Sequence, residues 1–428
     1  MTPPEPDRLL TDLDRRHGMR LWNASSALFS VYSAITSGAV CTGYALHLGA
    51  SNALIGVLSA APSWGQALQM LSPVLIERVR TRKPLCLATY AIGCGLWLPI
   101  AFIPFLFTGA AGPWALIILV TLGGAVTALA SPASTAWFAD LVPEDARARY
   151  IARLNNLCAA VALISSLAAG RYMDFFSPAR AQTGFMSLFI LAVVFAGASI
   201  AVWAKVVEPP KHLSEHESLL DFLTGPFRHT HFRNFTLFGV ARGLAVMIAG
   251  PFFNVYMLQN LGIPYAHIAI FSAMLTVSYI ASNPLWARLA ENRGYRPILR
   301  FSTFGLALFP LPFVFATPSN YWFVIAIAQL WGGVMCAGFV LADFNLMIKI
   351  APLRNRSVYI GFYQAMVNLA WCVGSLLGGA LADLFARFAP LPLLGYALSN
   401  IQCLFLLSVS LRLASLALLR YVREEQTG

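Results

Sequence analysis

The 428-residue chain is 58% hydrophobic and only 11% charged, with a mean hydropathy of +0.68, whereas a soluble domain carries roughly 25% charged residues. Water is therefore not its main solvent. The formal net charge of +11 does not mark a nucleic-acid binder, because the basic residues stand in short groups between apolar stretches and never gather on one polar domain.

Residues 1–20 are polar and charged, without the apolar core or small-residue cleavage site of a secretory signal, so the amino terminus is expected in the cytoplasm. Beyond it, hydropathy and turn residues predict helices over 22–47, 52–76, 85–108, 113–140, 151–173, 184–206, 234–258, 264–287, 298–317, 320–348, 359–384 and 393–420. Uncharged runs such as 114–139 and 184–204 suffice to cross ~30 Å of hydrocarbon. The expected fold class is all-α: a polytopic membrane protein of twelve transmembrane helices in two six-helix pseudo-repeats. An amino-terminal bundle (1–206) and a carboxy-terminal bundle (234–428) are joined by a cytoplasmic linker (207–233) containing His212, His216, His229 and His231. Residues 218–223 read either as a short amphipathic surface helix or as plain solvated chain.

The connections after helices 2, 4, 6, 8 and 10 are basic, with Arg78, Arg80, Arg82 and Lys83 in the first and Arg147, Arg149, Lys211, Arg288, Arg296, Lys349 and Arg354 among the rest. The opposite connections carry only Arg171, Arg180 and Arg387. This bias places the even loops and both termini inside. The seven cysteines (Cys41, Cys86, Cys94, Cys158, Cys336, Cys372, Cys403) all lie in apolar segments without a C-x-x-C pair. They read as small buried residues, and no metal or cofactor is expected.

Two regions repeat. Leu48, Gly49, Ile55, Ser59 and Ala60 recur at one constant offset as Leu261, Gly262, Ile268, Ser272 and Ala273. Pro143, Arg147, Tyr150, Ile151, Gly170 and Asp174 recur at a similar one as Pro352, Arg356, Tyr359, Ile360, Gly379 and Asp383. The halves are thus expected to be parallel repeats.

The loop after helix 2 runs from Pro73 through Glu77, Arg78, Arg80, Arg82 and Lys83 to Pro84, and that after helix 8 from Ala287 through Glu291, Asn292, Gly294 and Arg296 to Pro297. Both resemble the G-x-x-x-D-R-x-G-R-R signature of the major facilitator superfamily. Each copy is degenerate: Glu77 and Glu291 replace the aspartate, Pro73 and Ala287 the first glycine, and only Gly294 retains the second. With the spans, the linker and the repeat, the resemblance covers essentially the whole chain. It implies the major facilitator fold, secondary transport by alternating access, and a charge cluster that shuts the cytoplasmic side. The gating residues it implies are Glu77, Arg78 and Arg82 with Asp140 as partner, and Glu291 and Arg296 in the second copy. The plainer reading is that these charges mark a membrane boundary. Helix 4 lacks the arginine of the R-x-x-x-G pattern and helix 5 the G-P-x-x-G-G signature of drug-proton antiporters, which argues against multidrug efflux by that mechanism.

An ionisable residue in hydrocarbon is a functional hypothesis by default, and Arg242 in helix 7 and Asp343 in helix 10 stand out. The predicted boundaries put them roughly 12 and 8 Å from the cytoplasmic helix ends. A salt bridge opened by substrate or proton is the functional reading; a static pair or a snorkelling arginine is the structural one. Gln329, Cys336 and Asp343 share one face of helix 10, and Gln364, Asn368, Trp371 and Ser375 one face of helix 11, where Gln364 is the repeat counterpart of Asn155. The serines of helix 1 (Ser26, Ser30, Ser33, Ser37) with Tyr44 read equally as helix packing. The substrate-binding set is therefore Arg242, Asp343, Gln329, Gln364, Asn368, Trp371 and Asn155.

The expected partners are a small organic solute, anionic or zwitterionic, membrane lipids, and protons as the coupling ion, with no nucleic acid and a monomeric state in the cell inner (plasma) membrane. No nucleophile–base or metal constellation suggests an enzyme. The rival readings are a lipid translocator or a non-transporting sensor of the same fold.

Overall fold

The computed structural model describes residues 12–68, 81–208, 229–351, 356–393 and 396–422. The central linker between 209 and 228, with the 218–223 segment, and the gating residues Glu77 and Arg78 lie outside the described residues. Among those described, eleven helical segments are long and apolar enough to cross a membrane. A shorter apolar helix, Asn52–Ser63, stands where the second span is expected.

In chain order the first elements are α1 (Asp12–Thr36), α2 (Gly38–His47), α3 (Asn52–Leu68), α4 (Arg82–Gly95), α5 (Trp97–Ala101), α6 (Ile103–Leu106), α7 (Ala111–Leu141), α8 (Glu144–Met173) and α9 (Ala181–Trp203). Then follow α10 (Thr230–Ala249), α11 (Phe252–Val255), α12 (Tyr265–Arg293), α13 (Tyr295–Ala307), α14 (Leu311–Val314), α15 (Tyr321–Ile350), α16 (Arg356–Ala386) and α17 (Asn400–Ser415). A two-stranded antiparallel ribbon, β1 (Leu391–Leu393) and β2 (Tyr396–Leu398), separates the last two helices.

The breaks have local causes. The first span divides at Gly38, whose φ of +61° no side-chain-bearing residue adopts easily. The third span divides around Pro99 and Pro104, and the ninth around Pro310 and Pro312, because proline lacks the N–H that continues the ladder. The last span begins at Asn400, later than hydropathy suggests, because Leu391–Leu393 and Tyr396–Leu398 are the strands of the ribbon. There Ser399 and Gln402 close a reciprocal capping box.

The described residues of Met1–Gly49 and Trp64–Glu215 form one compact unit, and those of Ala50–Ser63 and His216–Gly428 the other. The two repeat each other's packing. In the first, α1 packs on α8 and α9, and α4 on α7; in the second, α10 packs on α16 and α17, and α13 on α15. A cluster of Trp22, Trp137 and Trp203, with ring centroids 5.4–5.8 Å apart, fills one end of the first unit. Phe232, Phe235 and Phe238 anchor the core of the second. Outward-facing stripes stay apolar: Trp114, Ile118 and Leu122 on α7, and Phe323, Ile327 and Leu330 on α15. Such stripes suit hydrocarbon and not water.

The start of α3 packs within the second unit, not with the helices that precede it. The Asp383 carboxylate accepts from Asn52 Nδ2 at 2.9 Å and from the Ala53 amide at 3.0 Å. It thereby satisfies one of the free N–H groups at the helix start. The small residues of α16 permit such closeness: a side chain at Gly374 or Gly378 would strike the carbonyls of Leu244 or Ile248 on α10. We expect Gly378→Leu to force α16 off α10 and to cost roughly 3 kcal/mol, read as a lowered melting midpoint of the purified protein.

Candidate functional site

The second unit gathers ionisable side chains where α10, α15 and α16 meet. Arg242 lies well inside α10, because that helix begins at Thr230, ahead of the predicted start. From there it is roughly 18 Å deep at 1.5 Å per residue, while Asp343 lies roughly 10 Å from the end of α15. Both are deeper than the sequence boundaries imply. The Arg242 guanidinium carbon sits 3.3 Å from the ring centroid of Phe339, a cation–π contact. Phe339 stands one helical turn before Asp343 on α15.

Arg242 and Asp343 do not form an ion pair among the described residues; they interact through space, together with Tyr363 and Cys336. The direct partner of Asp343 is Tyr363, whose hydroxyl donates to Oδ1 at 2.9 Å. Tyr363 is buried and stacks on Phe235 at 5.0 Å. It can approach because position 239 on α10 is glycine, where a Cβ would overlap its ring. Gly243 in the same way seats Trp371, so two aromatic side chains of α16 bracket the segment of α10 that carries Arg242. Arg242 itself has no hydrogen-bond acceptor among the described residues; its direct contact is the Phe339 ring.

Of the other expected site residues, Gln329 is buried on α15 with Oε1 unpartnered. It stands roughly 21 Å along the helix from Asp343, outside this group. Gln364 is exposed, Asn368 is half-buried, and Asn155 is an exposed residue of α8 in the first unit. Of the serines of the first span, Ser30 Oγ donates to the Ser26 carbonyl and Ser37 Oγ to that of Ser33.

One buried arginine was not foreseen. Arg412 of α17 is 5% exposed and donates to Ser408 Oγ (3.0 Å), the Leu306 carbonyl (3.0 Å) and the Val246 carbonyl (3.3 Å). It ties α17 to α13 and α10 and lies near enough to Arg242 to interact with it electrostatically. Two guanidinium groups and one carboxylate therefore share this region, which is short of negative charge.

A second charged cluster sits in the first unit. Arg82 Nη1 pairs with Asp140 Oδ2 at 2.6 Å, the two side chains being 5% and 25% exposed. Glu208, absent from the expected set, accepts the backbone amides of Arg82 and Lys83 at 2.5 and 3.2 Å, capping α4. In the second copy, Glu291 is exposed, and Arg296 Nη2 donates to the carbonyls of Leu419 and Arg420 at 3.5 and 3.4 Å. Arg82→Ala strands a carboxylate and is expected to cost roughly 2–4 kcal/mol, whereas Arg82→Met with Asp140→Leu should recover most of it. Thermal melts of the single and double variants measure the difference.

The sequence pattern of the Major Facilitator Superfamily matches residues 22–240 and again 235–427. The class H tetracycline resistance protein of Pasteurella multocida is 29% identical over 146 residues, 34% of this chain and 35% of that protein. The quinolone resistance protein NorA of Staphylococcus aureus is 28% identical over 155 residues, 36% of this chain and 38% of that one. The matched segments thus span little more than a third of either relative. A solved variant of the nucleoside transporter NupG superposes with a TM-score of 0.75 over 95% of this chain and all (100%) of that one, at 13% identity. A D-xylose–proton symporter gives 0.69 over 96% and 98%, at 16% identity. Such identities speak for the fold alone, but the family pattern fills the chain twice and the packing repeats with it: this multi-pass membrane protein belongs to the Major Facilitator Superfamily.

Proposed function

We propose that the protein is a secondary transporter moving a small organic solute with an anionic group, free or as part of a zwitterion, across the inner (plasma) membrane by alternating access. The observation that carries this reading is Arg242: a guanidinium deep in the second unit, against an aromatic ring and without a protein acceptor. A charge inside the span whose nearest counter-charge, Asp343, stands off without an ion pair is only partly compensated, and an arriving anion would complete the compensation. Phe339, Tyr363 and Trp371 supply apolar surface for the rest of the solute, and Asp343 supplies one titratable group for proton coupling. The Arg82–Asp140–Glu208 cluster braces the cytoplasmic end of the first unit in this reading, with both termini on that side.

The test is ligand-dependent thermal stability of the purified protein against a panel of organic anions, zwitterions, cations and neutral solutes. Stabilisation confined to anionic or zwitterionic compounds, and lost in Arg242→Ala, supports the reading. Hits among neutral sugars or cations that persist in Arg242→Ala would remove Arg242 from the site; stabilisation by lipids alone would favour a lipid translocator.

A further inference from the structure

The outer surface of the second unit carries a groove that the transport site does not use. Its walls are α13 and the last turns of the chain's final helix, α17 continued by Leu416–Tyr421. The groove has a volume of about 530 Å³, within the ~300–1,000 Å³ range of sites that hold small-molecule groups. Phe301, Phe304, Leu413 and Leu416 line it, with Arg300 and Arg420 at its rim and no acidic residue among the lining side chains.

The order along each wall matters. On α13, Phe304 stands one turn inward of Arg300; on the final helix, Leu416 and Leu413 stand one and two turns inward of Arg420. The walls run antiparallel, so both arginines lie at the same end and both apolar runs point from there into the bundle's span. Arg296 pins that end, its Nη2 donating across the groove's mouth to the carbonyls of Leu419 and Arg420. Arg300 and Arg420 are exposed, and neither makes an ion pair among the described residues. Phe301 and Phe304 are 56% and 48% exposed, on a helix that crosses the membrane. Two unpaired cations above an apolar trough match a molecule with a phosphate at one end and a hydrocarbon chain at the other.

We propose that this groove binds an anionic phospholipid, its phosphate held between Arg300 and Arg420 and one acyl chain lying along Phe301, Phe304, Leu413 and Leu416. With the orientation expected from the charge bias, the lipid belongs to the inner leaflet, where it fastens the last helix to α13. The site is independent of the solute bound near Arg242.

Native mass spectrometry of the full-length protein tests it, using dioleoyl-phosphatidylglycerol, dioleoyl-phosphatidylcholine and glycerol 3-phosphate as probes. The two lipids share chains and differ in charge; glycerol 3-phosphate carries the phosphate without the chains. Wild type is expected to prefer phosphatidylglycerol over phosphatidylcholine roughly 30-fold, the ratio that two arginines supply at about 1 kcal/mol each. Arg300→Ala with Arg420→Ala should bring that preference close to unity, Arg300→Lys with Arg420→Lys should keep most of it, and Arg387→Ala, at the opposite end of α16, should leave it unchanged. If the alanine pair does not purify, Arg420→Glu alone carries the test, since its side chain is exposed and the same loss of preference is expected. Undiminished preference in either variant overturns the proposal. So does displacement of the lipid by equimolar glycerol 3-phosphate, which would make this a site for free phosphate compounds.

Discussion

Replacing Arg242 with alanine should lower uptake of an anionic solute into proteoliposomes at least about 100-fold while leaving the protein folded. The loss follows from a charge-assisted, two-point contact worth about 3 kcal/mol that no neighbour can replace. Arg412 cannot take over, because its donors are engaged with Ser408 and the carbonyls of Leu306 and Val246. Arg242→Lys keeps the charge but not the planar fork, so an intermediate loss of roughly tenfold is expected. Stability distinguishes this role from a structural one. Arg242 holds no hydrogen-bonded protein acceptor, so its removal breaks no direct contact; Asp343 loses a facing cation but keeps the Tyr363 hydrogen bond, and the stability of the free protein should fall by no more than about 1 kcal/mol. A variant that loses several kcal/mol of stability, or one that transports at the wild-type rate, would each defeat the assignment.

The fold was legible in the sequence because lipid imposes a strong rule: every spanning backbone group must be satisfied within its own helix. Long uncharged runs therefore map almost directly onto helices, and the recurrence of Tyr150 as Tyr359 marks helices that pack alike, α8 on α1 and α16 on α10. What hydropathy misses are decisions taken by single residues. Gly38 and the prolines of the third and ninth spans break helices that remain apolar on both sides, and the strands Leu391–Leu393 and Tyr396–Leu398 are apolar enough to read as part of a span. The candidate site was half legible. Charge in hydrocarbon is conspicuous, which singles out Arg242 and Asp343, yet their direct partners are aromatic. Phe339 carries no signal beyond standing one turn before Asp343. Tyr363 is one residue off the polar stripe formed by Gln364, Asn368 and Trp371, and on α16 that single step separates a buried side chain from an exposed one. Arg412 carries the same signal as Arg242, standing as far inside the expected span 393–420 as Arg242 stands inside 234–258, and only the neighbouring carbonyls show what it binds.

Asp343→Asn should separate two activities that a proton-coupled carrier combines. Asparagine preserves the shape and can still accept from the Tyr363 hydroxyl, so the packing of α15 on α16 survives. It is also permanently neutral, as the protonated acid is. Asp343 and Arg242 interact through space, and a carboxylate there opposes an incoming anion, whereas the neutral form does not. Protonation and anion binding must therefore favour each other, by reciprocal linkage, which is the sign that couples anion and proton movement in the same direction. Three results follow for Asp343→Asn: anion affinity rises severalfold, solute exchange at equal pH persists, and net uptake driven by a pH gradient falls at least about tenfold. Tyr363→Phe keeps the titratable group and should retain gradient-driven uptake. If Asp343→Asn keeps full dependence on the pH gradient, the coupling ion is not carried at this carboxylate, while anion recognition by Arg242 would stand on its own measurement.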